Sequence, residues 1–170
     1  LHIRVSKAIY TLKQMRFILD KRHLKLLYNS YIRSIVEYSC ANFTHVNKTT
    51  REPIFKLLKR VIRIITGAGF LDPTAILFRQ EGILPLDQLI DFNVIKFMFV
   101  YRQGLQPKVF DGVWIRNSDL DHDYPLKNAD DFVVRQPAAQ YLSNYPYHYY
   151  VRAWNKLPAN IKAIQNKKIW

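Results

Sequence analysis

A mainly α fold is expected from three features of this sequence. Apolar side chains recur at the helical period in successive stretches, and glycines and prolines stand where those stretches would stop or start. A long later segment shows no sustained period at all. The predicted architecture is a small bundle of three to five helices, followed by an irregular segment and a C-terminal helix containing Trp154. The natural division is residues 1–104 for the bundle and 105–170 for the irregular part with its helix, packed as one unit with the first. With 170 residues, 49% of them hydrophobic and 14% aromatic, the chain has ample apolar surface to offset its conformational entropy. A chain of this length buries roughly 70% of the surface its unfolded form exposes, and needs no covalent staple.

The first helix is expected from Ser6, a candidate N-cap, because Ile9, Leu12, Met15, Phe17 and Leu19 recur at near-helical spacing with Lys7, Lys13 and Arg16 between them. A second follows Asp20. There Leu24, Leu27, Tyr28, Tyr31, Ile35 and Tyr38 share one side, while Asn29, Arg33 and Glu37 take the other. The third, about residues 50–67, has the cleanest pattern. At 100° per residue, Ile54, Phe55, Leu57, Leu58, Val61, Ile62, Ile64 and Ile65 fill half of the wheel. Lys56, Lys59, Arg60 and Arg63 fall within about 100° of one another on the opposite side. Glu52 sits in the predicted first turn, where a negative charge suits the helix dipole, and Gly67 is placed to end the helix.

After the Gly67-Ala-Gly69 break, Asp72 and Pro73 open a short helix to about Gln80. Pro85 then precedes a helix over Leu86–Arg102 that is apolar almost all round, the signature of the middle of a bundle. Gly104 and Pro107 end it. Residues 105–145, rich in Asp, Asn, Pro and Tyr, read as irregular, with one short strand at 132–135. A final helical section, about residues 147–164, is interrupted at Leu157-Pro158, where the proline can begin a new turn.

The net charge of +13 is distributed unevenly. Residues 1–67 hold 14 Lys and Arg against 3 acids, residues 68–134 hold 6 against 10, and residues 135–170 hold 6 against none. Two basic flanks around an acidic middle suit a protein that lies along a polyanion, of which nucleic acid is the default. The competing reading is an ordinary basic domain. Cys40 is the lone cysteine, so no internal disulfide or cysteine-rich zinc site forms. It reads as a small buried hydrophobe in a reducing compartment, which implies an intracellular location, nuclear or cytoplasmic. No signal-peptide pattern is present. The richest apolar stretch, from Leu89 to Tyr101, is interrupted by Asp91, Asn93 and Lys96, and no membrane partner is expected. The start at Leu1 and the end at Trp170, just after Lys167 and Lys168, read as cuts in a longer polypeptide.

The strongest functional candidate is the basic face of the third helix. Lys56, Lys59, Arg60 and Arg63 lie in register along two turns and can meet phosphates, with Lys13, Arg16 and Arg33 extending the track. A solvated face of an amphipathic helix is the plain alternative. Asn128-Ala129-Asp130-Asp131 invites a two-metal reading. It has Asp119, Asp121 and Asp123 nearby but matches no calcium loop, and a solvated acidic loop is preferred. His2, His23, His45, His122 and His148 are scattered, and Gly67-Ala-Gly69 lacks the following Lys-Ser/Thr of a phosphate loop. No catalytic residue, metal ligand or small-molecule site is expected. Tyr141, Tyr145, Tyr147, Tyr149, Tyr150 and Trp154, bracketed by Arg135, Arg152 and Lys156, can stack bases, but packing is favoured for Tyr150 and Trp154, one helical turn apart.

Several segments also read together. Residues His2-Ile3 through Lys7-Ala8-Ile9-Tyr10-x-Leu12 and Arg16 come first, then Leu26-Leu27-Tyr28-x-Ser30-x-Ile32. Lys59-Arg60-Val61-Ile62-Arg63-Ile64-Ile65-Thr66-Gly67 follows, with Gly82-Ile83-Leu84-Pro85-Leu86 and Phe97-Met98-Phe99-Val100-Tyr101 after it. His122-x-Tyr124 and Trp154-Asn155-x-Leu157-Pro158-x-x-Ile161-Lys162 complete the set. In order and spacing these resemble the segment after the polymerase palm in reverse transcriptases of non-LTR retrotransposons, of the LINE-like, jockey-related kind. The resemblance spans essentially the whole chain. It implies a thumb and post-thumb segment of an RNA-directed DNA polymerase that grips an RNA template and RNA/DNA duplex beside the palm of the same polyprotein. The family's catalytic aspartates, in a Phe/Tyr-Ala-Asp-Asp hairpin, lie upstream, so magnesium would belong to the palm and this chain alone is expected to be inactive. Asn128-Ala129-Asp130-Asp131 is then a chance echo, and Lys127 departs from the family's usual Arg. The alternative is a non-catalytic helical protein-interaction module or a non-functional retroelement remnant.

Overall fold

The helical periods become helices, though not always with the expected ends, in a computed structural model that describes residues 1–120 and 128–164. Asp121, His122, Asp123, Tyr124 and Lys127 lie outside the described residues, as do Lys167 and Lys168. The fold is mainly α, and its contacts divide it into two units, Leu1–Asn93 and Val94–Trp170.

In the first unit, α1 (His2–Met15) buries Val5, Ile9 and Leu12. It starts ahead of Ser6, so that serine is not its cap. It stops at Met15 instead of reaching Leu19, and Phe17 is left 83% exposed. Next comes α2 (Lys21–Leu27), capped by Asp20, whose Oδ1 accepts the His23 backbone N–H at 2.9 Å. It runs directly into a π-helical stretch, Tyr28–Arg33, and then α3 (Ser34–Tyr38), with the short α4 (Cys40–Phe43) just beyond.

From α2 to the first residue of α4 the buried residues are Leu24, Tyr28, Ile32, Val36 and Cys40, a strict four-residue spacing. In an α-helix such a stripe advances by about 40° at every step and winds off the core. A π-helical stretch, with i→i+5 bonds, turns less per residue and winds the stripe back. Ser30 Oγ donates to the Leu26 carbonyl at 2.9 Å and Ser34 Oγ to that of Ser30, back-bonds that loosen an α ladder. The expected apolar side is corrected accordingly: Tyr31 is 64% and Tyr38 90% exposed.

α5 (Lys48–Thr66) buries Ile54, Leu58, Val61, Ile62, Ile64 and Ile65 and ends where Gly67 takes φ 75°, a left-handed conformation that suits glycine. Because it begins at Lys48, Glu52 lies in its second turn and not, as expected, in the first. α6 (Thr74–Glu81) is fastened to α2 by a buried carboxylate. Glu81 pairs with Lys21 Nζ at 2.5 Å and Lys25 Nζ at 3.6 Å, and Lys25 also donates to the Glu81 carbonyl at 2.7 Å. A charge this buried is tolerated because it is paired. α7 (Leu86–Arg102) has the expected limits. It begins in the first unit, where Arg51 Nη1 of α5 meets Asp87 Oδ1 at 3.3 Å, and ends in the second.

The second unit is built on aromatic packing. Trp114 stacks on Phe110, Tyr147 and Tyr150, and meets Phe97 and Tyr101 edge-on. Its indole N–H donates to the Tyr147 carbonyl at 2.9 Å. α8 (Pro146–Asn155) and α9 (Ala159–Lys162) are separated at Leu157-Pro158, as expected, and Tyr150 and Trp154 are buried. The strand at 132–135 does not form: among the described residues there is only an isolated antiparallel bridge between Arg116 and Phe132. On one side, Asn117 N–H donates to the Asp131 carbonyl and Val133 N–H to that of Ile115. On the other, where a second strand would pair, the Asn155 amide takes its place. It accepts the Phe132 N–H at 3.0 Å and donates to the Phe132 carbonyl at 2.8 Å.

Candidate nucleic-acid interface

α5 positions four cations because its apolar half is locked into the core of the first unit, which turns Lys56, Lys59, Arg60 and Arg63 away from it. The face they occupy runs about 10 Å along the axis from Lys56 to Arg63. Lys56 and Arg60 are exposed and form no ion pair among the described residues. Lys59 is half-buried, its Nζ 4.1 Å from the centroid of the Phe55 ring one turn back. Arg63, also half-buried, turns toward the α5–α6 connection. Its Nη2 donates to the Asp72 carbonyl at 3.1 Å and its guanidinium carbon lies 5.6 Å from the Phe70 centroid, while its Nε is buried without a partner. None of the four is neutralised by a carboxylate among the described residues.

Arg16 is brought to the end of this face. Its Nη2 stands 3.6 Å from where a Cβ would project from Gly67, and Lys13 is exposed three residues earlier on α1. Arg33 has a partner of its own, donating from Nε to Glu37 Oε1 at 2.8 Å across one turn. Its charge is therefore already matched on α3.

The acidic run 128–131 is in part the solvated loop expected from sequence, with Asn128 and Asp130 exposed, but both of its carboxylates are paired. Asp130 Oδ1 pairs with Arg102 at 2.8 Å, and Asp131 Oδ1 accepts from the buried Lys162 Nζ at 2.6 Å. Lys162 also donates to the Asn155 carbonyl at 3.0 Å, and the Trp154 indole to that of Asp130 at 3.2 Å. The Trp154-Asn155-x-Leu157-Pro158-x-x-Ile161-Lys162 run thus works as a clasp on residues 130–132. Among the described residues, no group of three or more His, Cys, Asp and Glu stands close enough to hold a metal ion, and no helix is long and apolar enough to cross a membrane. Burial, and then the Glu37 carboxylate, push the Cys40 thiol up to about 12, so it is protonated and unreactive at neutral pH.

Sequence reasoning passed over the two turns beside Arg16 and Arg63. They expose Phe17, Ile18, Phe70 and Leu71, of which Phe17 had been assigned to a helix face. The signal was present in Gly69-Phe70-Leu71-Asp72-Pro73, where two large apolar residues stand between a glycine and a proline with no helical neighbours to cover them. Comparison with protein-family models, with curated proteins and with solved structures finds no match for this chain.

Proposed function

We propose that this chain is a nucleic-acid-binding segment of an RNA-directed DNA polymerase of the non-LTR retrotransposon kind. It would hold template and primer duplex beside an active site carried by a palm outside this sequence, in the nucleus or cytoplasm. One observation carries the reading: Lys56, Lys59, Arg60 and Arg63 share a face of α5, and none of them meets a carboxylate among the described residues. Cations left uncompensated on a rigid helix suit a row of phosphates, and a contact of this type reads backbone and duplex shape instead of sequence.

Fluorescence anisotropy with an RNA/DNA duplex tests it. Affinity is expected to fall steeply as salt rises, and to fall again when Lys59, Arg60 and Arg63 become Gln while circular dichroism stays unchanged. Binding indifferent to those substitutions overturns the reading. A second reading, a protein-interaction module, rests on an apolar groove of about 300 Å³ lined by Ala8, Leu12, Met15, Leu19, Leu27 and Ile32. It gains ground if the duplex is not bound.

A further inference from the structure

Two turns meet at one end of the first unit, and both push large apolar side chains into solvent. Residues 16–19 follow α1, and residues 67–73 join α5 to α6; the Arg16 side chain reaches from the first to Gly67 in the second. Phe17 is 83% exposed, Ile18 78%, Phe70 86% and Leu71 91%. Large apolar side chains exposed on two adjoining turns and flanked by charge suit a contact surface.

The turn carrying Phe70 and Leu71 has a defined shape. Gly67 holds φ 75°, Asp72 Oδ2 accepts the Gly69 N–H at 2.6 Å, and Arg63 grips the Asp72 carbonyl while its guanidinium lies over the Phe70 ring. Cations stand at the same end: Arg16, Arg63 and, at the start of α2, Arg22, while Lys21 beside it is already paired with Glu81. The carboxylates at the two turns are occupied locally, Asp72 by Gly69 and Asp20 by His23. The His23 backbone N–H, then its ring, hold the Asp20 carboxyl below its usual range.

We propose that this end of the first unit stacks on unpaired bases where a nucleic-acid duplex opens or ends. Phe17 and Phe70 are the stacking rings, and Arg16 and Arg63 the cations beside them. The proposal rests on the reading of α5 as the helix that follows the backbone. Arg60 and Arg63 occupy the last two turns of α5, so a strand tracking its basic face toward Gly67 arrives at these turns. Every base offers a π face to an aromatic ring, and an arginine behind that ring adds to the stack without demanding a sequence. A ligand both anionic and flat-faced answers to rings and guanidiniums together. An acyl chain would make no use of a ring held against a guanidinium.

The test compares two labelled RNA/DNA duplexes on the full chain by anisotropy, one blunt and one with a single-stranded overhang of about six nucleotides. The overhang substrate is expected to bind about tenfold more tightly. Phe17→Ala with Phe70→Ala should erase that preference while leaving blunt-duplex affinity within about twofold, and Phe17→Tyr with Phe70→Tyr should keep it. Both rings are exposed, so circular dichroism should not change. An absent preference, or an equal loss on both substrates, overturns the proposal. So does a preference that survives the alanines while binding to phosphatidylserine vesicles disappears, which assigns the patch to a lipid surface. Blunt-duplex binding that ignores Lys59→Gln, Arg60→Gln and Arg63→Gln sinks the α5 reading, and the stacking proposal with it. Loss on those glutamines together with an overhang preference deaf to the alanines sinks the stacking proposal alone.

Discussion

The two units put their paired cations to different uses. In the second, Arg102 is matched by Asp130, Arg116 by Asp119 and Lys162 by Asp131, and Arg152 donates to the Ser143 carbonyl. These cations close loops that have too little regular secondary structure to hold themselves. In the first unit Lys21 and Lys25 pair with Glu81, Arg33 with Glu37 and Arg51 with Asp87, but these tie together helices that aliphatic side chains already hold along α1, α5 and the Leu24-to-Cys40 stripe. Among the described residues Lys13, Lys56 and Arg60 form no ion pair. A charge required for folding is found with its partner already present. A charge free of that duty is the one to test for binding.

The largest blow to this contrast is Trp154→Ala. It removes an indole 1% exposed together with its bond to the Asp130 carbonyl, and should destabilise by about 4 kcal/mol in urea denaturation. Hydrogen exchange should show the loss in residues 128–164, with α5 amides keeping their protection; equal loss in α5 would end the distinction between the units. Lys162→Met comes next. It leaves the Asp131 carboxylate, 17% exposed, without its cation, at a cost of about 3 kcal/mol, part of which Asp131→Asn should recover in the same background.

The first unit has an alkaline weakness instead. Burial raises the Cys40 thiol from 9.0 to about 12 and the Tyr28 phenol from 10.0 to about 12. The unfolded chain therefore gives up these protons first. Stability is whole below pH 9 and falls as pH rises from there toward about 12, Cys40 alone accounting for about 2 kcal/mol by about pH 10.5. Denaturation at the two ends of that window should show the decline, and Cys40→Ala with Tyr28→Phe should flatten it. The smallest effect discriminates most between the units. Arg60→Gln should reduce the slope of log affinity against log salt for duplex by about 1. Arg116→Gln, whose cation already faces Asp119 at 3.1 Å, should leave the slope unchanged.

Legibility from sequence followed the strength of local punctuation. α7 begins and ends as expected because Pro85 and Gly104 bracket a helix apolar almost all round, and the four cations of α5 share a face because nothing interrupts the 100° step from Lys56 to Arg63. Leu24, Tyr28 and Cys40 are legible as buried, but Ile32 and Val36 are missed and Tyr31 and Tyr38 misplaced because a 3.6-residue wheel cannot describe a rod that widens in its middle. The expected strand failed for a tertiary reason: its partner is the Asn155 side chain, 23 residues away, which no local pattern announces. In the candidate site the alignment of Lys56, Lys59, Arg60 and Arg63 was legible. Arg63's engagement with Asp72 and Phe70 was not, because it depends on how residues 67–73 turn back.

The Asn155 amide has a consequence beyond holding Phe132. Extended backbone with a bare edge is a template on which other copies can add, the first step toward fibres. From Asp131 to Val133 neither edge is open, since Ile115 and Asn117 occupy one and a carboxamide seals the other. Asn155→Leu should therefore do more than loosen the segment: it would unmask a sticky rim, and slow, concentration-dependent turbidity would be the sign.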